Sequence, residues 1–255
     1  MSLTGKVESK IENGVARITF FHPQSNSLPG DVLKKLADEI TIIGNNPEAK
    51  VIVLQSEGEK AFCAGASFDE LISIKDFETG KKFFSGFASV INAMRKAPKF
   101  VIARIQGKSV GGGVGLASAA DYTLAVEGAS VKLSELAVGI GPFVVGPAVE
   151  RKIGSAAFNE LTINATEWRD AKWARERGLY ADIFPNINEM DKAINTLAEK
   201  LSKSNPEAMR LLKKVFWKGT DDWDQLLIER AEMSGKLVLS EFTKKAIEKF
   251  KEGTK

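Results

Sequence analysis

The sequence holds one cysteine, one histidine and two tyrosines in 255 residues. A lone Cys63 forms no intramolecular disulfide and no thiolate metal cluster, so a reducing, cytoplasmic setting without structural zinc is expected. The lone His22, in Phe-Phe-His-Pro at the end of a strand, reads as a solvated turn residue. Any acid–base work near neutral pH then falls to a carboxylate. Long apolar runs are missing as well: no stretch approaches the roughly 18 residues of a membrane span. Residues 1–10 also lack the apolar block of a secretory leader, so neither export nor membrane insertion is expected. Charge of one sign is scarce, since 36 Lys and Arg against 33 Asp and Glu leave a net +3. Without a concentrated basic patch that surplus makes nucleic acid an unlikely partner.

What is present is ordinary globular chemistry, with 44% hydrophobic residues, enough for a substantial core. Asn13-Gly14 between two alternating runs predicts a hairpin over residues 6–20. Val32, Leu33, Leu36, Ile40 and Ile43 repeat at helical spacing after Pro29. The apolar runs 51–54 and 100–105 suit strands buried on both faces. Helices are expected from Phe68, from Phe83 to Met94, and from Val114 to Ala120, with a strand at 122–126. Beyond residue 147 the pattern is almost wholly helical. Alternating strands and helices followed by helices imply an α/β core, placed at 1–190, with a helical region at 191–255. The terminal segment presents Leu237, Leu239, Phe242, Ile247 and Phe250 among many charges, an apolar face that must dock on something.

Three motifs in the glycine-rich centre need weighing. Gly107-Lys108-Ser109 is not a phosphate loop, because position 102 is Ile, and Gly111 and Gly113 fail the dinucleotide pattern at Leu116. Gly107-x-Ser109-x-Gly111 does satisfy the nucleophile elbow and makes a serine hydrolase or thioesterase using Ser109 an alternative; yet no histidine follows His22 to complete a triad. Two segments remain, Ala61-Phe-Cys-Ala-Gly-Ala-Ser-Phe-Asp69 and Val110-Gly-Gly-Gly-Val-Gly-Leu-Ala117. Each follows a strand and opens a helix, where free N–H groups and the positive end of the dipole gather. Two such starts side by side would hold a developing oxyanion.

These two segments, with Lys132-Leu-Ser-Glu135-Leu, His22-Pro-Gln-Ser-Asn-Ser-Leu28, Arg151-Lys-Ile-Gly154 and residues 171–178, resemble the crotonase (enoyl-CoA hydratase/isomerase) family. The resemblance implies a spiral of ββα units with a helical C-terminal trimerisation region, assembled as a homotrimer or dimer of trimers. It implies an acyl-CoA substrate, with coenzyme A entering only as part of that substrate and no metal or redox cofactor. Carried over, the backbone N–H groups of Ala66 and Gly112 form the oxyanion hole and Glu135 is the catalytic acid/base, for hydration of a 2-enoyl-CoA or a double-bond shift. Ser25, Asn26, Leu28 and Ala64 fall on the coenzyme A side, where Gln24 replaces a lysine common in relatives. Phe68 and Phe143, with Leu71, Leu136, Val138 and Ile140, fall in the acyl pocket. Phe250 matches a position that reaches a neighbouring subunit's ligand, and Lys249 and Lys251 are placed to meet phosphates. The chain departs from the typical hydratase in one respect: Gly115 stands where a second glutamate is expected. Asp121 is expected to be structural and Glu70 to face solvent. A non-catalytic, RNA-binding relative is a further alternative.

Overall fold

The computed structural model describes residues 5–253, with side chains to residue 249. The chain opens on the expected hairpin, β1 (Lys6–Glu12) and β2 (Val15–Phe21). Asn13 and Gly14 both take positive φ, 52° and 80°, the turn that matches strand twist. There follow β3 (Ser27–Leu28), α1 (Gly30–Asn45), β4 (Val51–Ser56), β5 (Ala61–Cys63), β6 (Gly65–Ala66), α2 (Phe68–Ser73) and α3 (Phe77–Lys96). Next come β7 (Val101–Ile105), β8 (Lys108–Val110), α4 (Gly112–Ala119), β9 (Tyr122–Val126) and β10 (Ser130–Lys132), then a 3-10 turn at Glu135–Val138 and α5 (Gly146–Ile163). The remainder comprises β11 (Arg169–Asp170), α6 (Ala171–Glu176), β12 (Asp182–Phe184), α7 (Ile187–Ser202), α8 (Pro206–Phe216), α9 (Trp223–Leu237) and α10 (Glu241–Gly253).

A six-stranded sheet of order β1-β2-β4-β7-β9-β12 is parallel except for the first pair. Val51–Leu54 and Val101–Ala103 are fully buried in it, as continuous apolar strands between covered faces should be. A smaller sheet, β11-β10-β8-β5, stands beside it, and the short pair β3-β6 continues from β5. Each chain segment passes from the first sheet to the second and then into a helix: β4 to β5 and α2, β7 to β8 and α4, β9 to β10 and the 3-10 turn. That repeat places three turns, each leaving a strand of the second layer, at one edge of the molecule.

Several expectations need correction. The stretch between β4 and α2 is not a plain loop, because β5 and β6 lie in it. The region beyond residue 147 is not only helical: β12 closes one edge of the main sheet, pairing with β9, and β11 closes the smaller one. Two- and three-residue strands carry too little alternation to be seen locally; partners distant in sequence make them strands. Helix α4 starts at Gly112 rather than Val114. Glycines are needed there for close approach: a Cβ on Gly112 would strike the Phe87 ring, and one on Gly113 would strike the Cys63 carbonyl.

One buried charge cluster fastens the C-terminal helices to this core. Asp121 Oδ2 accepts from Val101 N–H at 2.8 Å and from Lys213 Nζ at 2.5 Å, and its Oδ1 accepts from Trp217 Nε1 at 2.8 Å. The structural role expected of Asp121 is thus filled. Lys213, on α8, also donates to Met94 O at 2.9 Å, and burial holds its pKa below the usual lysine range.

Candidate active site

A cavity of about 1500 Å³ opens where the three turns meet. Ala64, Gly65 and Ala66 line it from the first turn, Val110, Gly111 and Gly112 from the second, Ser134 and Glu135 from the third. The first two turns are in direct contact: a Cβ on Gly65 would lie 3.1 Å from Val110 O and 3.7 Å from Gly112 N. The strands beneath explain why, since β5 pairs with β8 at Cys63 and Ser109. The second and third turns are bound by Gly111 N–H donating to Lys132 O at 2.9 Å. Gly111 has φ 51° and ψ −113°, open to glycine but strained for other residues.

Glu135 closes the group. Its carboxylate lies over Gly111, where a Cβ would sit 2.9 Å from Oε1 and 3.6 Å from Oε2. Among the described residues the buried Oε2 has no hydrogen-bond partner. Burial pushes the carboxyl up to about 7, so near neutral pH it exists in both protonation states. The turn itself is held by Gly139, φ 80°, whose carbonyl accepts from Thr243 Oγ1 at 3.0 Å on α10.

Of the other anticipated residues, Ser25, Phe68 and Phe143 line the same cavity, as do Gln24, Leu71, Val138, Ile140 and Lys249. Leu136 does not; it points outward and is 49% exposed. Asn26 and Leu28 face into the protein instead. Asn26 Nδ2 donates to Glu57 O and Ala61 O at 2.9 and 3.0 Å and its Oδ1 accepts from His22 N–H, so its side chain braces the loop. Leu28 is fully buried in the core. The side chains of Phe250 and Lys251 lie outside the described residues. Glu70 does not face solvent but accepts from Gly30 N–H at 2.9 Å at the start of α1. His22 is half-buried rather than solvated, its sealed Nδ1 without a partner among the described residues, and it does not line the cavity.

The nucleophile-elbow reading fails on accessibility. Ser109 is fully buried within β8, on the face of its strand opposite to the cavity-lining Val110, and faces Tyr180. Cys63 is equally closed off: its Sγ accepts from Gly65 N–H at 3.4 Å, and burial pushes the thiol up to about 12. The vacancy at Gly115 is occupied by other atoms. A Cβ there would lie 2.5 Å from Val145 Cγ1 and 3.6 Å from Ile91 Cδ1, so Val145 fills the space above the glycine.

The profile of the enoyl-CoA hydratase/isomerase family matches residues 10–255. The chain belongs to that family, the crotonases. It is 32% identical over 200 residues to methylglutaconyl-CoA hydratase of Rattus norvegicus, covering 77% of this chain and 63% of that one. It is 28% identical over 206 residues to a Delta(3,5)-Delta(2,4)-dienoyl-CoA isomerase of Arabidopsis thaliana, covering 75% of this chain and 72% of that one. The crystal structure of enoyl-CoA hydratase from Bacillus halodurans superposes with a TM-score of 0.88 at 23% identity, covering 95% of this chain and 99% of that one. At that identity the superposition establishes the crotonase fold. Sequence reasoning missed Lys132, Trp168, Phe83 and Phe84 as cavity residues. For Lys132 the signal was there: it is two residues after Ser130 in a strand, and three before Glu135.

Proposed function

We propose that the protein acts on an enoyl-CoA thioester through an enolate, hydrating a 2-enoyl-CoA or shifting its double bond. The observation that carries this is the Glu135 carboxylate, unpartnered at Oε2 and lying over Gly111 beside two helix starts. In this reading the thioester oxygen sits between the N–H groups of Ala66 and Gly112. Gly112 opens α4, so its N–H has no intrahelical acceptor, and Gly111 offers no capping side chain. Next to Ala66, Ser67 N–H donates to Leu28 O, and strand alternation turns the Ala66 N–H the other way. Charge moving onto the oxygen meets donors already in place, and the transition state gains more from them than the ground state.

Glu135 then moves the proton. A single carboxylate near its pKa can take a proton from one carbon and return it to another, which suits a double-bond shift directly. Hydration asks also for a group that orients water, and Ser134 lines the cavity next to Glu135. Coenzyme A lies along Gln24, Ser25 and Ala64, enters only as part of the substrate, and no metal or redox group takes part. The working form is a cytoplasmic homotrimer or dimer of trimers, with residues 1–190 carrying the site and 191–255 the contacts. Among the described residues no helix is long and apolar enough to cross a membrane.

The test is incubation with crotonyl-CoA and, separately, a 3-enoyl-CoA in heavy water, with products read by mass spectrometry. Water addition raises the mass by one D2O; double-bond migration leaves only deuterium exchange. No product from either ester would sink the reading.

A further inference from the structure

Across the smaller sheet and its continuation the strands run β11, β10, β8, β5, then β6 and β3. The cavity draws lining residues from along that order: Trp168 just before β11 and Lys132 on β10, Gly111 and Gly112 after β8, Ala66 on β6, and Ser25 and Gln24 just before β3. Side chains alternate along a strand, so Val110, its partner Lys132 and Lys108 share one face, whereas Ser109 and Val131 turn into the core. Val131 pairs with Arg169, so the antiparallel register sets Trp168 beside Lys132. Both ammonium groups stand over that one indole, Lys132 Nζ 4.6 Å and Lys108 Nζ 5.1 Å from its centroid. Among the described residues neither ammonium has a hydrogen-bond or ion-pair partner. Two like charges converging on one exposed ring repel each other, and an anion set between them turns both interactions favourable.

We propose that this end of the cavity is a carboxylate subsite, so that the preferred substrate is the coenzyme A monothioester of a short dicarboxylic acid. Lys132, which lines the cavity, holds the free carboxylate, Trp168 forms the wall beneath it, and Lys108, outside the lining, reaches it over the same indole. The inference rests on the preceding reading, which fixes the thioester oxygen at Ala66 and Gly112. Strand β10 is one step, about 4.8 Å, from β8, and a lysine side chain bridges part of the remaining gap. That offset of one strand suits a short acyl group rather than a long fatty chain. The phosphates of coenzyme A are the other anions such lysines would attract. They belong at the opposite end, beyond Ser25.

Unreactive saturated esters separate binding from turnover. Glutaryl-CoA, butyryl-CoA and free coenzyme A are titrated against the full-length protein by calorimetry. The expected result is that glutaryl-CoA binds at least tenfold more tightly than butyryl-CoA. Lys132→Met lowers that preference about tenfold, and Lys132→Arg restores part of it. Lys108 is exposed, so Lys108→Met carries the test if Lys132→Met does not fold; it lowers the preference by a smaller factor. Equal affinities for the two esters in the unaltered protein overturn the proposal. So does a Lys132→Met variant that weakens free coenzyme A as much as glutaryl-CoA, which assigns the lysines to the phosphates. Selective binding of glutaryl-CoA without turnover of crotonyl-CoA, a 3-enoyl-CoA or glutaconyl-CoA supports the subsite and retires the enolate reading alone.

Discussion

Glu135 is the residue on which the proposed chemistry turns, and its environment makes the sign of its pH dependence definite. Its carboxyl titrates at about 7 in the folded protein against an ordinary 4.5. A base must be ionised, so kcat/KM for proton abstraction rises as pH passes through about 7, and Glu135→Gln removes both that rise and most turnover, about 100- to 10,000-fold. Affinity for butyryl-CoA, measured alongside, is expected to persist. Linkage gives the matching stability effect. The folded state keeps a proton that the unfolded chain releases, so the cost of the buried charge is absent below about 4.5, grows as pH rises and is complete above about 7. Urea titrations across that window are expected to show stability falling with pH, and the fall to flatten in Glu135→Gln. Gly115 tests the missing second carboxylate. Because Val145 occupies the space above it, Gly115→Glu by itself is expected to overpack α4 and lose about 1–3 kcal/mol. Gly115→Glu with Val145→Ala relieves the contact and is the variant in which added hydration is worth measuring.

At the level of helices and strands, what was legible followed from local signals. Asn13-Gly14 announced the hairpin, and the apolar runs at 51–54 and 101–105 announced the central strands. Strands β3, β5, β6, β8, β10, β11 and β12 were not legible, since two or three residues hold no periodicity and their partners are far away in sequence. The two glycine-bearing turns were visible as helix starts, but only the pairing of β5 with β8 shows that they touch. Side-chain direction was less legible still: Asn26 and Leu28 sit beside Ser25 in sequence yet face inward, and nothing local distinguished them. Two tertiary ties carry predictions here. Asp121→Asn removes the carboxylate that pairs the buried Lys213 ammonium, and is expected to cost about 3–5 kcal/mol in denaturant unfolding. Thr243→Val removes the bond from α10 to Gly139 O, costs about 1 kcal/mol, and lowers kcat by loosening the turn that carries Glu135.

For the whole molecule, more than half of the exposed large apolar residues among those described lie on the C-terminal helices, although Ile163 on α5 and Ile42 on α1 are exposed as well. Val215 on α8 is 66% exposed and Phe242 on α10 is 70% exposed, with Leu211 and Leu212 about half exposed. The exposed residues of α8 are the ones the proposed trimer would bury. Light scattering is expected to give three times the chain mass, or six, and Val215→Asp to shift the protein toward monomer. A monomer at working concentration removes the trimer from the proposal.

The lone thiol has a practical consequence. Cys63 lies directly under the first turn of α4, with its carbonyl against Gly113, so an alkylating reagent cannot reach it until that helix lifts. Iodoacetamide labelling of the native protein therefore clocks the breathing of the proposed main-chain anion cradle without any engineered probe, and a tightly held thioester is expected to slow that clock.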